Sequence, residues 1–354
     1  MCSRLNSAVM LSMTSSPAPY FGVGTPGHPT QPRSPRTTGA APSGEDAHTV
    51  RLGGVAYELG EHDMSYADIP GLHATLARHG LHDEPELWGF GRYRRTRREP
   101  ADLAIACAQK TLAASGVAAQ DVDAVVLCSV VFPCDVRAQR ALTHRILSGL
   151  QMETTPLLGV SMSRCATLTG GIRLADDLLA SRRYRTILVL SCDAVSDESE
   201  RFEPFAIFSD AAASCLLSSS TIQGYELVHT VQASRATAAD SDGPDAGGRL
   251  AASANLQLGE AHVAPRSLHK VFHDNLFRPI VSLREQMAGF DSKQLFMDNI
   301  SAIGHCFGCD PLINLADFCA ATTPAQGTLL GLFSGTPGVR TGIVLRVPGS
   351  PTRH

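Results

Sequence analysis

The sequence predicts an α/β fold, and three observations carry that reading. Ala124-Val125-Val126-Leu127-Cys128-Ser129-Val130-Val131 and the apolar run from Arg185 to Ala194 read as strands buried on both faces. Between them Leu168, Ile172, Ala175 and Leu179 recur at three- and four-residue intervals, with Leu174 and Leu178 widening the stripe, as in an amphipathic helix packed on a sheet. From about Val50 onward strand and helix signals keep alternating, the order that an α/β architecture requires.

Taken along the chain, Met1 to Ala47 is rich in Ser, Pro, Thr and Gly without periodicity, so residues 1–48 are expected to be a disordered extension. Its apolar patch, Ala8-Val9-Met10-Leu11, is too short to argue for export, and Met10 or Met13 would serve equally as a start. Pro100 after Glu99 opens a helix that Gly116 ends. Val136 to Leu147 reads as a second helix, followed by the strand that leads to Cys165. A first half is expected over 49–222 and a second over 223–349, starting near Tyr225-Glu226-Leu227-Val228, with 350–354 as a tail. The Asp/Gly/Ala stretch from Ala236 to Ala252 reads as a mobile loop, and Leu268 to Phe272 as a short strand.

Composition narrows the function classes. The chain has 354 residues, enough for one large core or two fused halves, and a formal net charge of -4 gives no electrostatic reason for a nucleic-acid partner. No apolar run reaches the length of a membrane span, so no membrane partner is expected. Ten cysteines in a chain without a convincing signal peptide read as reduced, mostly core residues of a cytoplasmic protein.

Cys165, in Ser163-Arg164-Cys165-Ala166-Thr167, stands between a strand pattern and the amphipathic helix. In the first helical turn, free N–H groups and the helix dipole favour a thiolate, the form that attacks an acyl carbonyl. A small buried core cysteine is the plainer alternative. A second constellation is Gly304-His305-Cys306-Phe307-Gly308-Cys309-Asp310-Pro311. His305 is a candidate to take a proton from an incoming nucleophile and Asp310 to orient it, although Asp-Pro is also a common helix-capping pair. Cys306 and Cys309 form one C-x-x-C without a second ligand pair, so no metal site is expected.

The order of the Cys165 helix, the Arg185–Ala194 strand and Phe208-Ser209-Asp210-Ala211-Ala212-Ala213-Ser214 resembles the ketoacyl-acyl carrier protein synthase III family of the thiolase fold. There the nucleophilic cysteine starts a buried helix and an F-G-D-G-A-G-A segment leads into the next strand. The resemblance runs from about Val50 to Val347 and implies a thiolase-like fold of two similar αβαβα halves. In condensing members the segment matching Ile303 to Leu315 carries Gly-Asn, whose asparagine stabilises an enolate together with an upstream H-Q-A-N histidine. Here His305 stands in place of that asparagine, and His273-Asp274-Asn275 is the nearest counterpart of the H-Q-A-N motif, which makes His273 and Asn275 auxiliary candidates. A purely structural role for His273 is the alternative. The departures resemble the branch of polyketide and antibiotic pathways in which a cysteine, a histidine and an aspartate transfer an acyl group to a hydroxyl, amine or thiol.

The resemblance also implies that the glycine loop at Gly338 supplies an oxyanion-hole N–H beside that of Cys165, where a plain inter-strand turn is the alternative. It implies a coenzyme A contact for Trp88 and Arg92. Otherwise the run Arg92, Arg94, Arg95, Arg97, Arg98 reads as a solvated face or a landing surface for an acidic acyl carrier protein. The expectation is a homodimeric acyltransferase that loads a short or aromatic polyketide-derived acyl group, of the methylsalicylyl kind, onto Cys165. The donor is an acyl carrier protein or coenzyme A thioester, the acceptor is a small molecule, and no further cofactor is involved. A starter-unit synthase that condenses with loss of carbon dioxide is one alternative. A non-catalytic synthase partner is another, and the presence of the nucleophile counts against it.

Overall fold

The computed structural model describes residues 49–220, 222–235 and 246–349. The extension assigned to 1–48 and the tail at 350–354 lie outside the described residues. The chain enters with β1 (Arg51–Leu59), then runs through β2 (His62–Ser65), α1 (Leu72–His79), α2 (Pro85–Trp88) and β3 (Arg92–Arg95), where β2 and β3 pair as a small antiparallel ribbon. Next come α3 (Pro100–Ser115), β4 (Ala124–Cys128), α4 (Val136–Gly149), β5 (Leu157–Val160), α5 (Thr167–Ala180) and β6 (Thr186–Asp193). A hairpin of β7 (Phe202–Glu203) and β8 (Ala206–Ile207) precedes β9 (Ala211–Ser218). The second run holds β10 (Tyr225–Ser234), α6 (Ala246–Asn255), β11 (Lys270–Phe272), α7 (Arg278–Met287), α8 (Asp298–Ala302), α9 (Asp310–Ala321), β12 (Leu329–Thr336) and β13 (Val339–Arg346).

These strands build one nine-stranded sheet in the order β11-β12-β13-β10-β1-β9-β6-β4-β5. β4 lies parallel to both β5 and β6, while β9 runs antiparallel to β6 and to β1. The second run repeats this plan in reduced form. β11 pairs parallel with β12, and the counterpart of β5 shrinks to a single parallel bridge between Val271 and Leu295.

Two-residue alternation sends the strand residues to opposite faces. Ala124, Val126, Ile187 and Val189 pack with Leu168, Ile172 and Leu179 of α5 and with Leu312, Ile313 and Phe318 of α9. Val125, Leu127, Leu188 and Leu190 face Leu103, Ala104 and Cys107 of α3 and Ile146 and Leu147 of α4. α6 and α7 contribute Ala251, Ala254 and Val281 to a further cluster with Val231, Phe333 and Val344. Each fully buried leucine or isoleucine of α5 stabilises this arrangement by about 2 kcal/mol. Gly171 lets the helix approach closely, because a Cβ there would lie 2.3 Å from Cys128 Sγ.

Two expectations are corrected. The strand predicted through Val131 ends at Cys128, because the Ser129 hydroxyl and the Val130 N–H both donate to the Asp193 carboxyl, at 2.7 and 2.8 Å, instead of continuing the ladder. The loop predicted over Ala236 to Ala252 falls partly outside the described residues, and from Ala246 onward it is helix α6, whose Ala251 and Ala254 are fully buried. Small residues there let a helix lie close to the sheet, which the glycine content of the stretch obscured. No helix among the described residues is long and apolar enough to cross a membrane.

Candidate active site

Two short 3-10 turns meet where α5 and α9 begin. After β5 the chain passes through Met162 (φ 68) and Arg164 (φ 48), side-chain-bearing residues in the left-handed region, each costing about 1–3 kcal/mol. Cys165 was expected in the first turn of the helix. It lies instead in the turn Arg164–Ala166, and α5 starts at Thr167. The positive φ of Arg164 stops α-helical bonding from reaching further back, and Ala166 N donates to Ser163 O at 2.9 Å. The second turn, Phe307–Cys309, opens with Phe307 at φ 55 and leads into α9 in the same way. Gly308 faces the first turn so closely that a Cβ would sit 3.0 Å from Thr167 Oγ1 and 3.4 Å from the Cys165 carbonyl.

His305 is pinned through its backbone, donating to Ile207 O at 2.8 Å and accepting from Ser209 N at 2.9 Å. Its ring is fully buried, with Nε2 3.2 Å from Cys165 Sγ and Nδ1 2.5 Å from Asp310 Oδ2. Phe208 lies 5.1 Å from the imidazole between centroids and 4.7 Å from Phe307, giving the ring an apolar flank.

For Asp310 the structure speaks to one of the two roles considered, that of helix cap. Its carboxylate does not cap its own helix, where Cys309 holds the cap position without a side-chain bond. It turns back to accept from His305 Nδ1, from Cys306 N at 2.7 Å, from Asn275 N at 2.6 Å and from Asn275 Nδ2 at 3.3 Å. Burial pushes its pKa up, but these donors favour the ionised form, so we assign Asp310 as the carboxylate of the pair. Burial opposes charge on His305 as well, yet the Asp310 carboxylate and the Cys165 sulfur lift its pKa well above the ordinary histidine value. The shared proton therefore belongs on the imidazole.

The remaining predicted residues fall as follows. His273 is buried, with Nδ1 2.9 Å from the Asp274 carbonyl and Nε2 unpartnered, and burial lowers its pKa. Asn275 reaches Asp310 directly. Gly338 forms the β12–β13 turn at φ 85, its carbonyl accepting from Arg235 N at 2.8 Å. Trp88 and Arg92 are occupied within the chain. Trp88 Nε1 donates to His82 O at 3.1 Å and its ring stacks near Phe90, while Arg92 Nε pairs with Asp63 at 2.9 Å. Arg94, Arg95 and Arg98 also face carboxylates, so most of the arginine run is neutralised in place and does not form a free basic face. Cys306 and Cys309 are buried free thiols whose pKa values burial pushes well up, and no group of metal-binding residues occurs among the described residues.

Sequence reasoning missed Asp193. It closes β6, accepts from Ser129 and Val130 on Oδ1 and leaves Oδ2 unpartnered; burial raises its pKa to about 7. The available signal was a carboxylate ending the buried-strand run Ile187-Leu188-Val189-Leu190-Ser191-Cys192.

A family model for 3-oxoacyl-[acyl-carrier-protein (ACP)] synthase III matches residues 161–236, the segment that carries Cys165 and β6 to β10. The β-ketoacyl-[acyl-carrier-protein] synthase III of Rickettsia akari is 28% identical over 122 residues, covering 34% of this chain and 37% of that protein. Its counterpart in Rickettsia canadensis is 25% identical over 153 residues, covering 39% and 45%. The matched region thus spans less than half the length of these relatives. Among solved structures, 3-oxoacyl-[acyl-carrier-protein] synthase III from Aquifex aeolicus superposes with TM-score 0.69 at 16% identity, over 84% of this chain and 99% of that one. ChlB3, described as an acyltransferase, gives TM-score 0.70 at 16% identity over 85% and 98%, and a variant of Xanthomonas campestris OleA gives 0.71 at 15% over 84% and 98%. The fold is that of the thiolase-like proteins, and residues 161–236, which carry Cys165, are similar to the 3-oxoacyl-[acyl-carrier-protein] synthase III family.

Proposed function

We propose that the protein is an acyltransferase that carries its acyl group on Cys165. The observation behind this reading is the continuous line from Cys165 Sγ through the His305 ring to the Asp310 carboxylate. In the loading step His305 Nε2 holds the Cys165 proton as the sulfur attacks the thioester carbonyl. The tetrahedral intermediate collapses and expels the carrier thiol, which leaves with that proton. The amides of Cys165 and Gly338 are the proposed oxyanion donors. Once the sulfur is acylated, one of the two groups that hold the proton on His305 is gone, and the free imidazole is ready to deprotonate the acceptor hydroxyl, amine or thiol. Collapse of the second intermediate returns the proton to sulfur. Asp310 stays ionised throughout and stabilises the imidazolium in each half-reaction.

Histidine at position 305, where condensing relatives carry asparagine, favours plain transfer over decarboxylative condensation. The acyltransferase description of ChlB3, a neighbour in fold, supports the same choice. A short or aromatic acyl group in a natural-product setting is part of the same proposal. The donor is read as an acyl carrier protein or acyl-coenzyme A. A contact from Trp88 and Arg92 to that donor requires them to exchange their bonds to His82 and Asp63. A homodimer is proposed across β5, which ends the sheet on one side beside the exposed side chains of Val131, Val136 and Met162. The test is single turnover with His305→Ala. An acyl adduct that forms but discharges about 10²–10⁴ times more slowly supports the base assignment, whereas discharge at the wild-type rate removes it. Carbon dioxide released from labelled malonyl thioester in step with turnover supports the condensing alternative.

A further inference from the structure

We propose that Asn275 is a positioning residue for the His305–Asp310 pair, held in orientation by a buried chain of amides that runs through Asn314 and Asn299. Its relevance to acyl transfer rests on the function proposed above; the geometry stands independently. Asn275 touches both ends of the segment that bears His305. Its Nδ2 donates to the Gly304 carbonyl at 2.9 Å and to Asp310 Oδ1 at 3.3 Å, and its backbone N–H donates to Asp310 Oδ2 at 2.6 Å. The Asn275 Oδ1 accepts from Asn314 Nδ2 at 2.9 Å, and that same nitrogen donates to the His273 carbonyl at 2.9 Å. Asn314 Oδ1 in turn accepts from Asn299 Nδ2 at 2.9 Å, which also donates to Asp317 Oδ2 at 2.8 Å. Tyr57 closes the far end, its hydroxyl donating to Asp317 Oδ1 at 2.6 Å.

A carboxylate at each end fixes the direction of every amide between them. Asp310 only accepts, so the nitrogen of Asn275 must face it and the oxygen must face Asn314. Asp317 only accepts, so Asn299 must present its nitrogen. Asn275, Asn299 and Asn314 are all buried, and none of their side-chain nitrogens lacks a partner. An apolar core would form more easily with apolar residues there, since buried amides stabilise only when every group is paired. What this chain of amides achieves is a carboxylate that cannot rotate away from His305 Nδ1 and a backbone at Gly304 that cannot slide relative to Asp310. Both keep Nε2 within reach of the Cys165 sulfur.

The charged and titratable groups facing the pair are Cys165 from the opposite turn, Asp193 from the end of β6, the Cys306 and Cys309 thiols of the same segment, and His273 and Asp274 beside Asn275. Arg284 and Glu285 lie behind His273, and Asp210, Arg94 and Asp317 beyond Cys306. Added negative charge at position 275 raises the proton affinity of every member of the Cys165–His305–Asp310 unit, whichever site holds the proton.

The experiment follows the rate of Cys165 alkylation by iodoacetamide against pH in the full chain, read by intact mass, with circular dichroism as the folding control. Asn275→Asp is expected to move the alkylation limb to higher pH by about one unit. Asn314→Asp, which sets an acceptor against Asn275 Oδ1 and forces the amide to turn, is expected to move it the same way by less. Because added charge alone can move the limb, the neutral Asn275→Ser, which removes the amide without adding charge, separates the two roles: a moved limb in the folded variant supports positioning, and the wild-type limb with lowered stability marks a purely structural role and overturns the proposal. A folded Asn275→Asp protein with the wild-type limb overturns the proposal, and if that variant does not fold, an unmoved limb in Asn314→Asp overturns it. Alkylation needs no acyl donor. A shifted limb in a protein that never accepts an acyl group therefore contradicts the acyltransferase reading and leaves the positioning role intact.

Discussion

Asp310→Asn is the substitution whose effect the structure defines most fully. The four donors to this carboxylate, His305 Nδ1, Asn275 N, Cys306 N and Asn275 Nδ2, leave no room for a donor in return. An amide of the same shape offers one oxygen and one NH2 group, so in either orientation the NH2 meets N–H groups that had been paired. Each buried donor left unpaired costs about 1–3 kcal/mol, and breaking a buried ion pair costs about 3–5 kcal/mol. These overlap, and a stability loss of about 3–5 kcal/mol is expected overall. The pH dependence has a definite sign. A raised histidine pKa contributes stability that is fully present below the unfolded value of about 6.5 and is lost as pH rises through the folded value. Without Asp310, burial loses its largest counterweight and the His305 pKa falls, so the gap between wild type and variant should be wider at pH 6 than at pH 9. Urea melts followed by circular dichroism measure the gap, and single-turnover mass spectrometry measures discharge of acyl-Cys165, expected to slow by about 10²–10⁴. Wild-type stability together with wild-type discharge in this variant would refute the reasoning.

Asp193→Asn probes the other buried carboxyl. A folded pKa raised from 3.8 to about 7 gives the wild type stability that is complete below the unfolded pKa and is lost as pH rises to about 7. At 1.36 kcal/mol per unit this loss is about 4 kcal/mol between acid and pH 8, and the variant should not show it; parallel stability curves for the two proteins contradict the assignment. Gly171→Ala should destabilise by about 1–3 kcal/mol, because its Cβ meets Cys128 Sγ at 2.3 Å, and Cys128→Ala should restore part of the loss. Gly170→Ala, with nothing within 4 Å, should be neutral or stabilising by up to about 1 kcal/mol, and equal melts for the two alanine variants would show that α5 is not packed this tightly.

The parts of the fold that rest on long apolar runs were legible in the sequence. β4 and β6 are unbroken stretches that only the middle of a sheet can bury, and the stripe at Leu168, Ile172, Ala175 and Leu179 could face nothing but that sheet. Cys165 and His305 could be read as candidates because of their neighbours, a helix start and a glycine-flanked histidine. Their contact across 140 positions is tertiary, and no local pattern encodes it. Asp310 was ambiguous for a physical reason: Asp-Pro has the same appearance whether the carboxylate caps its helix or turns back toward a histidine. α6 was missed because its glycines and alanines look like a loop until Ala251 and Ala254 are seen packed in the core. The left-handed positions of the two turns are held by Arg164 and Phe307 rather than by glycine, and so left no mark. Asn314 did leave one, a polar residue within the apolar run Leu312-Ile313-Asn314-Leu315, explained by its bonds to Asn275 and Asn299.

The central claim is that Cys165 carries the acyl group, and intact-protein mass after incubation with acyl-coenzyme A or acyl carrier protein thioesters tests it most directly. The account predicts a single acyl increment on the wild-type chain, mapped to the peptide containing Cys165 and absent from a folded Cys165→Ala protein. An undiminished adduct in Cys165→Ala, or an increment mapped to Cys134, Cys306 or Cys309 instead, would contradict it.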